Sequence, residues 1–393
     1  MKRSVFYIYI GLILNLITAC TNEDIPEPDN NITEKTLFIY MPWSSNLTGY
    51  FYQNLKDLET CIEEMGDLQN ERIIVFFSNS PSEATLFEIS CDKGECQRTE
   101  IKQYLDHPFT TPYGLTEIIT DVVDYSPSKK YSMIIGCHGM GWLPVNNSRA
   151  LYSLDKYHYD YESEYMTRYF GGTSSEYQTD ISTLSYAIAS NGIIMDYILF
   201  DDCYMASIEV AYELKDVSHY LIASTCEVMA YGMPYQTMGK HLIGEPDYKK
   251  ICEDFYEFYS NYAMPCGTLS VTDLSQIEDM ASLMKEINTG YIWNKDLNDE
   301  IQKLDGYSPT IFYDFGDYVE KLIKQNNETS TIANVFEYQL NRLIPYKVNT
   351  EYFYSASRGR IKINSYSGIT TSDPSISTRS IDKSNTKWYY ATH

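Results

Sequence analysis

Between residues 36 and 225, short apolar runs alternate with stretches of helical periodicity, and no other feature restricts the fold as much. "TLFIYM" (36–41), "ERIIVFFSN" (71–79), "KYSMIIGC", "IIMDYILFDDC" (193–203) and "SHYLIASTCE" read as strands. The segments after them, among them "GYFYQNLKDLETCIEEMG", "TPYGLTEIITDVVDYSP", "DISTLSYAIASNG" and "MASIEVAYELKD", carry apolar residues at helical spacing, the second opened by Thr and Pro. Strands that are apolar throughout have both faces covered, and strand–helix alternation delivers those covers. The expectation is an α/β domain over 36–245 with a mainly parallel sheet flanked by helices. Beyond 245 the pattern becomes mainly helical, with "CGTLSVTD" and "GRIKINSYSG" as isolated strands, so 246–393 is expected to be a mixed, mainly helical carboxy-terminal region packed on the first.

The strand ends hold the candidate chemistry, because ligands bind at the carboxyl ends of parallel strands. One run closes on His138 in "SMIIGCHGMGW", another on Cys203 in "YILFDDCYMAS". Taken singly, the cysteine reads as a buried core residue and the histidine as a loop residue. Taken together, on two strands of one sheet, they make a nucleophile and a proton carrier. Asp201 and Asp202 beside the thiol oppose its ionisation, a charge that a neighbouring imidazole would offset. Gly139, free of side-chain crowding, offers a backbone N–H that with that of Cys203 would form an oxyanion hole.

A formal net charge of −24 lacks the basic footprint that phosphate binding needs, and excludes nucleic acid as a partner class. The amino terminus has the order of a secretory leader: Lys2 and Arg3, an apolar run to Ala19, then Cys20. "ITAC" resembles the lipobox of bacterial lipoproteins, which implies a leader at 1–19, lipidation of Cys20 and a membrane anchor; the alternative is an ordinary leader with an incidental cysteine. Residues 20–35, polar, acidic and with two prolines, read as a flexible tether. The expected location is the cell envelope, lipid-anchored to the outer membrane, periplasmic or surface-exposed. In such a compartment disulfides are permitted, and Cys91 and Cys96 bracket the turn-like "DKGE", where a hairpin would set them face to face. No CxxC pairing exists among the other cysteines, so no metal site is expected.

"HGMGW" together with "FDDCYMASIEVAYEL" resembles the motif pair of the clostripain-type cysteine peptidases, which have the caspase-like fold. "LFIYMPWSSNL", "DISTLSYAI", "ASTCEVMAYGMPY", "TLSVTDLSQIEDM", "FYDFGDYVEKL" and "SNTKW" are similar to further blocks of that family, so the resemblance runs from about residue 36 to the carboxy terminus. It implies a peptidase cleaving after Arg or Lys; separately, a monomer is expected. Cys203 would attack, His138 would act as acid and base, Gly139 and Cys203 would hold the oxyanion, and Asp201 would meet the substrate's cation. Asp202 fits either a pocket wall or an N-cap of the following helix. The chain departs from the family at Ser44, where an acid is common, and at Met233, with Glu227 a substitute pocket acid. Calcium, used by some members, is left open, and no other cofactor is implied. Family members are often zymogens that cut themselves between the histidine and the cysteine. Here that points to the 145–179 loop, to the Arg149–Ala150 bond first and to Lys156 second. The competing readings are an inactive caspase-like surface lipoprotein with a binding role, a peptidase cleaving after Asn or Asp, and a carbohydrate-binding lipoprotein suggested by the 38 tyrosines.

Overall fold

Five parallel strands form the centre of the molecule, and the loops leaving their carboxyl ends gather the candidate residues. The structure, a computed structural model, describes residues 32–68, 70–145, 171–172, 175–326, 330–376 and 383–393. In chain order its elements are β1 (Thr33–Met41), α1 (Thr48–Met65), β2 (Glu71–Ser80), β3 (Glu83–Asp92), β4 (Glu95–Leu105), α2 (Pro112–Tyr125), β5 (Ser128–Gly136), α3 (Ile181–Ser190), β6 (Met195–Asp201), α4 (Ile208–Leu214), β7 (Ser218–Ala223), α5 (Tyr235–Leu242), α6 (Tyr248–Ser260), β8 (Thr268–Asp273), α7 (Ile277–Gly290), β9 (Tyr313–Asp314), α8 (Phe315–Gln325), α9 (Ser330–Leu343), β10 (Tyr346–Asn349), β11 (Tyr352–Ser355), β12 (Gly359–Lys362), β13 (Thr370–Thr371) and α10 (Lys387–Thr392).

Nine strands make one sheet in the order β10-β8-β7-β6-β5-β1-β2-β3-β4. The run from β7 to β2 is parallel, and both edges turn antiparallel. Period-two alternation splits each central strand between two cores. From β1, Phe38 and Tyr40 join a core built with α2, α3, α4 and α7, whereas Leu37, Ile39 and Met41 join one built with α1, α5 and α6. The helix starts follow local rules. Thr111 caps α2 by accepting from Gly114 N at 3.1 Å, with Pro112 at the first helical position.

Two boundaries differ from expectation. β1 begins at Thr33, inside the segment 20–35 read as a tether, because pairing with Ser128 extends the strand towards its polar end. The region 246–393 also adds β8 and β10 to the common sheet, and its Trp388 lies in the first core, so the sheet continues across residue 245. Residues 1–19 and Cys20 lie outside the described residues.

The β3–β4 hairpin forms as its turn sequence suggests, with Cys91 and Cys96 as directly facing partners. Their sulfurs are 3.0 Å apart, and both are free thiols. Burial, and then the hydrogen bond to Cys91, push the Cys96 thiol pKa up. Although that shift slows thiolate formation, the facing geometry means that glutathione disulfide applied to the folded protein should join these two cysteines, stabilising it by about 2 kcal/mol for so short a loop. Peptide mapping is expected to recover the linked pair; two cysteines that still alkylate freely would contradict the pairing.

Candidate active site

Strands β5 and β6 are parallel neighbours, and Gly136 is in register with Asp201. His138 and Cys203 each stand two residues beyond that pair, so both loops leave the sheet at one height on one rim. A carboxylate ties the loops together. Asp202 accepts from Cys137 N at 2.7 Å, and the Cys137 thiol donates to its second oxygen at 3.4 Å. Asp202 is thereby committed to the β5 loop. It is not the cap of α4, a task done by Ser207, which accepts from Val210 N at 3.2 Å. The short link between Asp202 and helix α4 leaves four residues, Cys203 to Ala206, for the nucleophile turn before the cap.

Gly139 lies against the Cys203 peptide. A β-carbon there would meet Cys203 O at 2.2 Å and Cys203 N at 2.8 Å, both backbone atoms that cannot swing aside. Only glycine permits this approach. Cys203 Sγ accepts a hydrogen bond from Val228 N at 3.2 Å. The His138 ring is held through Nε2, 3.0 Å from Asn46 Oδ1, and its backbone N–H donates to Gly171 O at 3.3 Å.

Tyr204, directly after the thiol, has a φ of 61°, the left-handed region that a bulky residue enters at a cost of about 1–3 kcal/mol. Several contacts offset that cost. The ring stacks on Phe312 at 4.7 Å between centroids, the hydroxyl donates to Glu227 Oε1 at 2.8 Å, and the N–H donates to Cys226 O at 3.1 Å. Glu227 also accepts from Ala356 N at 3.0 Å, so its carboxylate braces the turn instead of lining a pocket in this conformation. Phe312 is presented by a loop wound around Asp305, which accepts from the N–H groups of Tyr307, Ile311 and Phe312 at 3.0, 2.7 and 2.6 Å. Burial pushes that carboxyl up to about 7, against the downward pull of those three donors.

Sequence reasoning placed the thiol and imidazole on an accessible rim. The structure shows the rim covered: Cys203 is 0% exposed and His138 3%. The physical reason is apolar packing, for Cys203 shares a buried cluster with Met140, Tyr204, Val228, Tyr307, Ile311 and Phe312. Asp201 is also fully buried, with Tyr235 donating to it at 3.0 Å. Ser44 bonds Pro42 O, and Met233 is core, so the two departures from the family pattern place no charge at the rim. Asn46, Tyr204 and Asp305 were not singled out from sequence. Arg149, Ala150 and Lys156 lie outside the described residues. Among the described residues no group of three or more His, Cys, Asp or Glu side chains is placed to share a metal ion. Nor, among them, is any helix long and apolar enough to cross a membrane.

A thiol and an imidazole on neighbouring loops at the carboxyl rim of a mainly parallel sheet form the layout of a cysteine peptidase. The chain belongs to the clostripain family, whose profile matches residues 39–391. It is similar to a secreted C11 cysteine protease from Bacteroides thetaiotaomicron, "iotapain", at 52% identity and a TM-score of 0.83, over 92% of this chain and 100% of that one. It is also similar to a clostripain from Bacteroides thetaiotaomicron ATCC 29148 in complex with the peptide inhibitor BTN-VLTK-AOMK, at 57% identity and a TM-score of 0.55, over 57% of this chain and 99% of that one. An inactive zymogen C11 protease from Parabacteroides distasonis shares the fold, at 24% identity and a TM-score of 0.75, over 92% of this chain and 99% of that one. Comparison with curated protein sequences gave no match. Family and fold together make the chain a cysteine peptidase of caspase-like architecture.

The Asp202–Cys137 bond gives a stability test. Asp202→Ala strands a buried N–H, costing about 1–3 kcal/mol, while Asp202→Asn keeps an acceptor. Thermal unfolding should show the alanine variant well below wild type and the asparagine variant between them; equal midpoints for all three would contradict the strap.

Proposed function

We propose that the chain is a secreted, lipid-anchored cysteine endopeptidase that cleaves after Lys or Arg with Cys203 as nucleophile and His138 as acid and base. The observation that carries this reading is the register of β5 and β6, which sets the two residues at one rim. In the opened site, His138 takes the thiol proton and the thiolate adds to the scissile carbonyl carbon. The oxyanion accepts from the N–H groups of Gly139 and Cys203, donors of a kind worth about 10²–10³ in rate. His138 then protonates the departing amine, leaving a thioester. Water adds to it as His138 accepts a proton, and collapse returns the free thiol and a carboxylic acid.

Asp201 is proposed to meet the substrate's cation. A fully buried carboxylate discriminates strongly, since a neutral side chain leaves it without a counter-charge. The inhibitor bound to the clostripain relative ends its peptide in lysine, which supports a basic residue before the cut bond. The buried thiol requires an opening step before any polypeptide can reach it, which fits a precursor activated by cleavage in the 145–179 loop, at Arg149–Ala150 first and Lys156 second. Lipidation of Cys20 would hold the enzyme at the cell envelope, and the secreted relative supports export. The second reading, an inactive surface lipoprotein with a binding role, draws on the same sealed thiol.

Protein lacking residues 1–20 and assayed on fluorogenic lysyl and arginyl peptides separates the two. Cys203→Ala and His138→Ala should each lower kcat by about 10³-fold or more, and Asp201→Asn should reduce cleavage after basic residues most. Equal, low turnover by wild type and Cys203→Ala would favour the binding reading. For activation, Arg149→Ala should abolish or delay the two-band product on a denaturing gel; unchanged processing would exclude that bond as the necessary cut.

A further inference from the structure

We propose that Asn46 is a positioning residue for His138, so that the working unit is a thiol, an imidazole and an amide carried by three adjacent strands. This rests on the Cys203–His138 reading above and extends it to a residue 92 positions before the histidine. The sheet order supplies the geometry. β5 lies between β6 and β1, with Gly136 facing Asp201 on one side and Ile135 facing Tyr40 on the other. The loops that follow the three strands therefore stand in a row at one rim: Cys203 after β6, His138 after β5, Asn46 after β1.

Within that row the amide oxygen of Asn46 is 3.0 Å from His138 Nε2. An amide oxygen can only accept, so with this contact made the neutral ring carries its proton on Nε2 and its lone pair on Nδ1. That tautomer leaves Nδ1 as the nitrogen that takes the thiol proton, and once it has done so the Nε2–H bond to Asn46 strengthens against the imidazolium. Amide, imidazole and thiol in this order recur in cysteine peptidases of unrelated fold, which shows that the geometry suffices for the role. The loop is built to hold the amide still. Ser44 is 1% exposed with its hydroxyl on Pro42 O, Ser45 turns the chain at a φ of 55°, and Leu47 is 0% exposed in the core beneath. Asn46 itself is exposed, so it lies on the outer side of the ring and replacing it removes no core packing.

The test compares Asn46→Ala and Asn46→Asp with wild type and Cys203→Ala, in activated protein on a lysyl peptide. Asn46→Ala is expected to lower kcat roughly 10- to 100-fold with KM little changed, because the ring loses orientation and not substrate contacts. Asn46→Asp, which keeps an oxygen acceptor at the same reach, is expected to recover most of that loss. Wild-type kcat in Asn46→Ala beside an inactive Cys203→Ala would overturn the role of the amide alone. A loss confined to KM, or an aspartate variant no better than alanine, would do the same. Full activity in Cys203→Ala would instead overturn the dyad, and with it this extension.

Discussion

One carboxylate sets the distance between the two halves of the site. Asp202 sits on the β6 loop one residue before the thiol, and it accepts the backbone N–H of the residue one before the imidazole. A buried hydrogen bond is worth about 0.5–1.5 kcal/mol net, and this one acts between loops that the sheet has already placed in register. The pair of acids beside the cysteine, which at first sight opposes a reactive thiol, thus divides its labour. Asp202 joins the loops, and Asp201 turns to the opposite face towards Tyr235. Close apposition of Gly139 on the Cys203 peptide follows from the same strap.

Around this joint the chain spends stability on an unfavourable turn and recovers it through packing. Tyr204 holds a left-handed backbone because Phe312, Glu227 and Cys226 all engage it. Phe312 in turn depends on the Asp305-centred loop, and Glu227 on Ala356. The carboxy-terminal region is therefore part of the site's support as well as of the sheet. The same packing buries the sulfur, so support and closure come from one set of contacts.

Much of this was legible in the amino-acid sequence. Uniformly apolar strands alternating with amphipathic helices point to a parallel sheet with two covered faces, and Thr111 with Pro112 marks a helix start. The two strand-end residues, His138 and Cys203, were recognisable because titratable side chains at that rim have a chemical reason to be there. What stayed hidden lacks such a signature. Asn46 does not titrate and sits in a loop whose neighbour in space is set only by sheet order. Asp202 looked like a pocket wall or a cap because a bond to a backbone N–H 65 residues away leaves no pattern in the chain. Glu227 likewise read as a pocket acid, since its partners Tyr204 and Ala356 are joined to it only by the folded turn. The residues that cover the thiol were invisible for a related reason: Tyr307, Ile311 and Phe312 come from a region that reads as a separate helical segment.

The account stands on a sulfur and an imidazole that act as one reactive pair once the site opens. Intact mass and peptide mapping after incubation with a lysine-terminated peptide bearing a thiol-directed ketone measure that pairing directly. The account predicts one adduct, on Cys203, formed by the wild-type protein and lost or greatly slowed in His138→Ala. Labelling of Cys203 at the same rate without the imidazole, or labelling of a different cysteine, would contradict it.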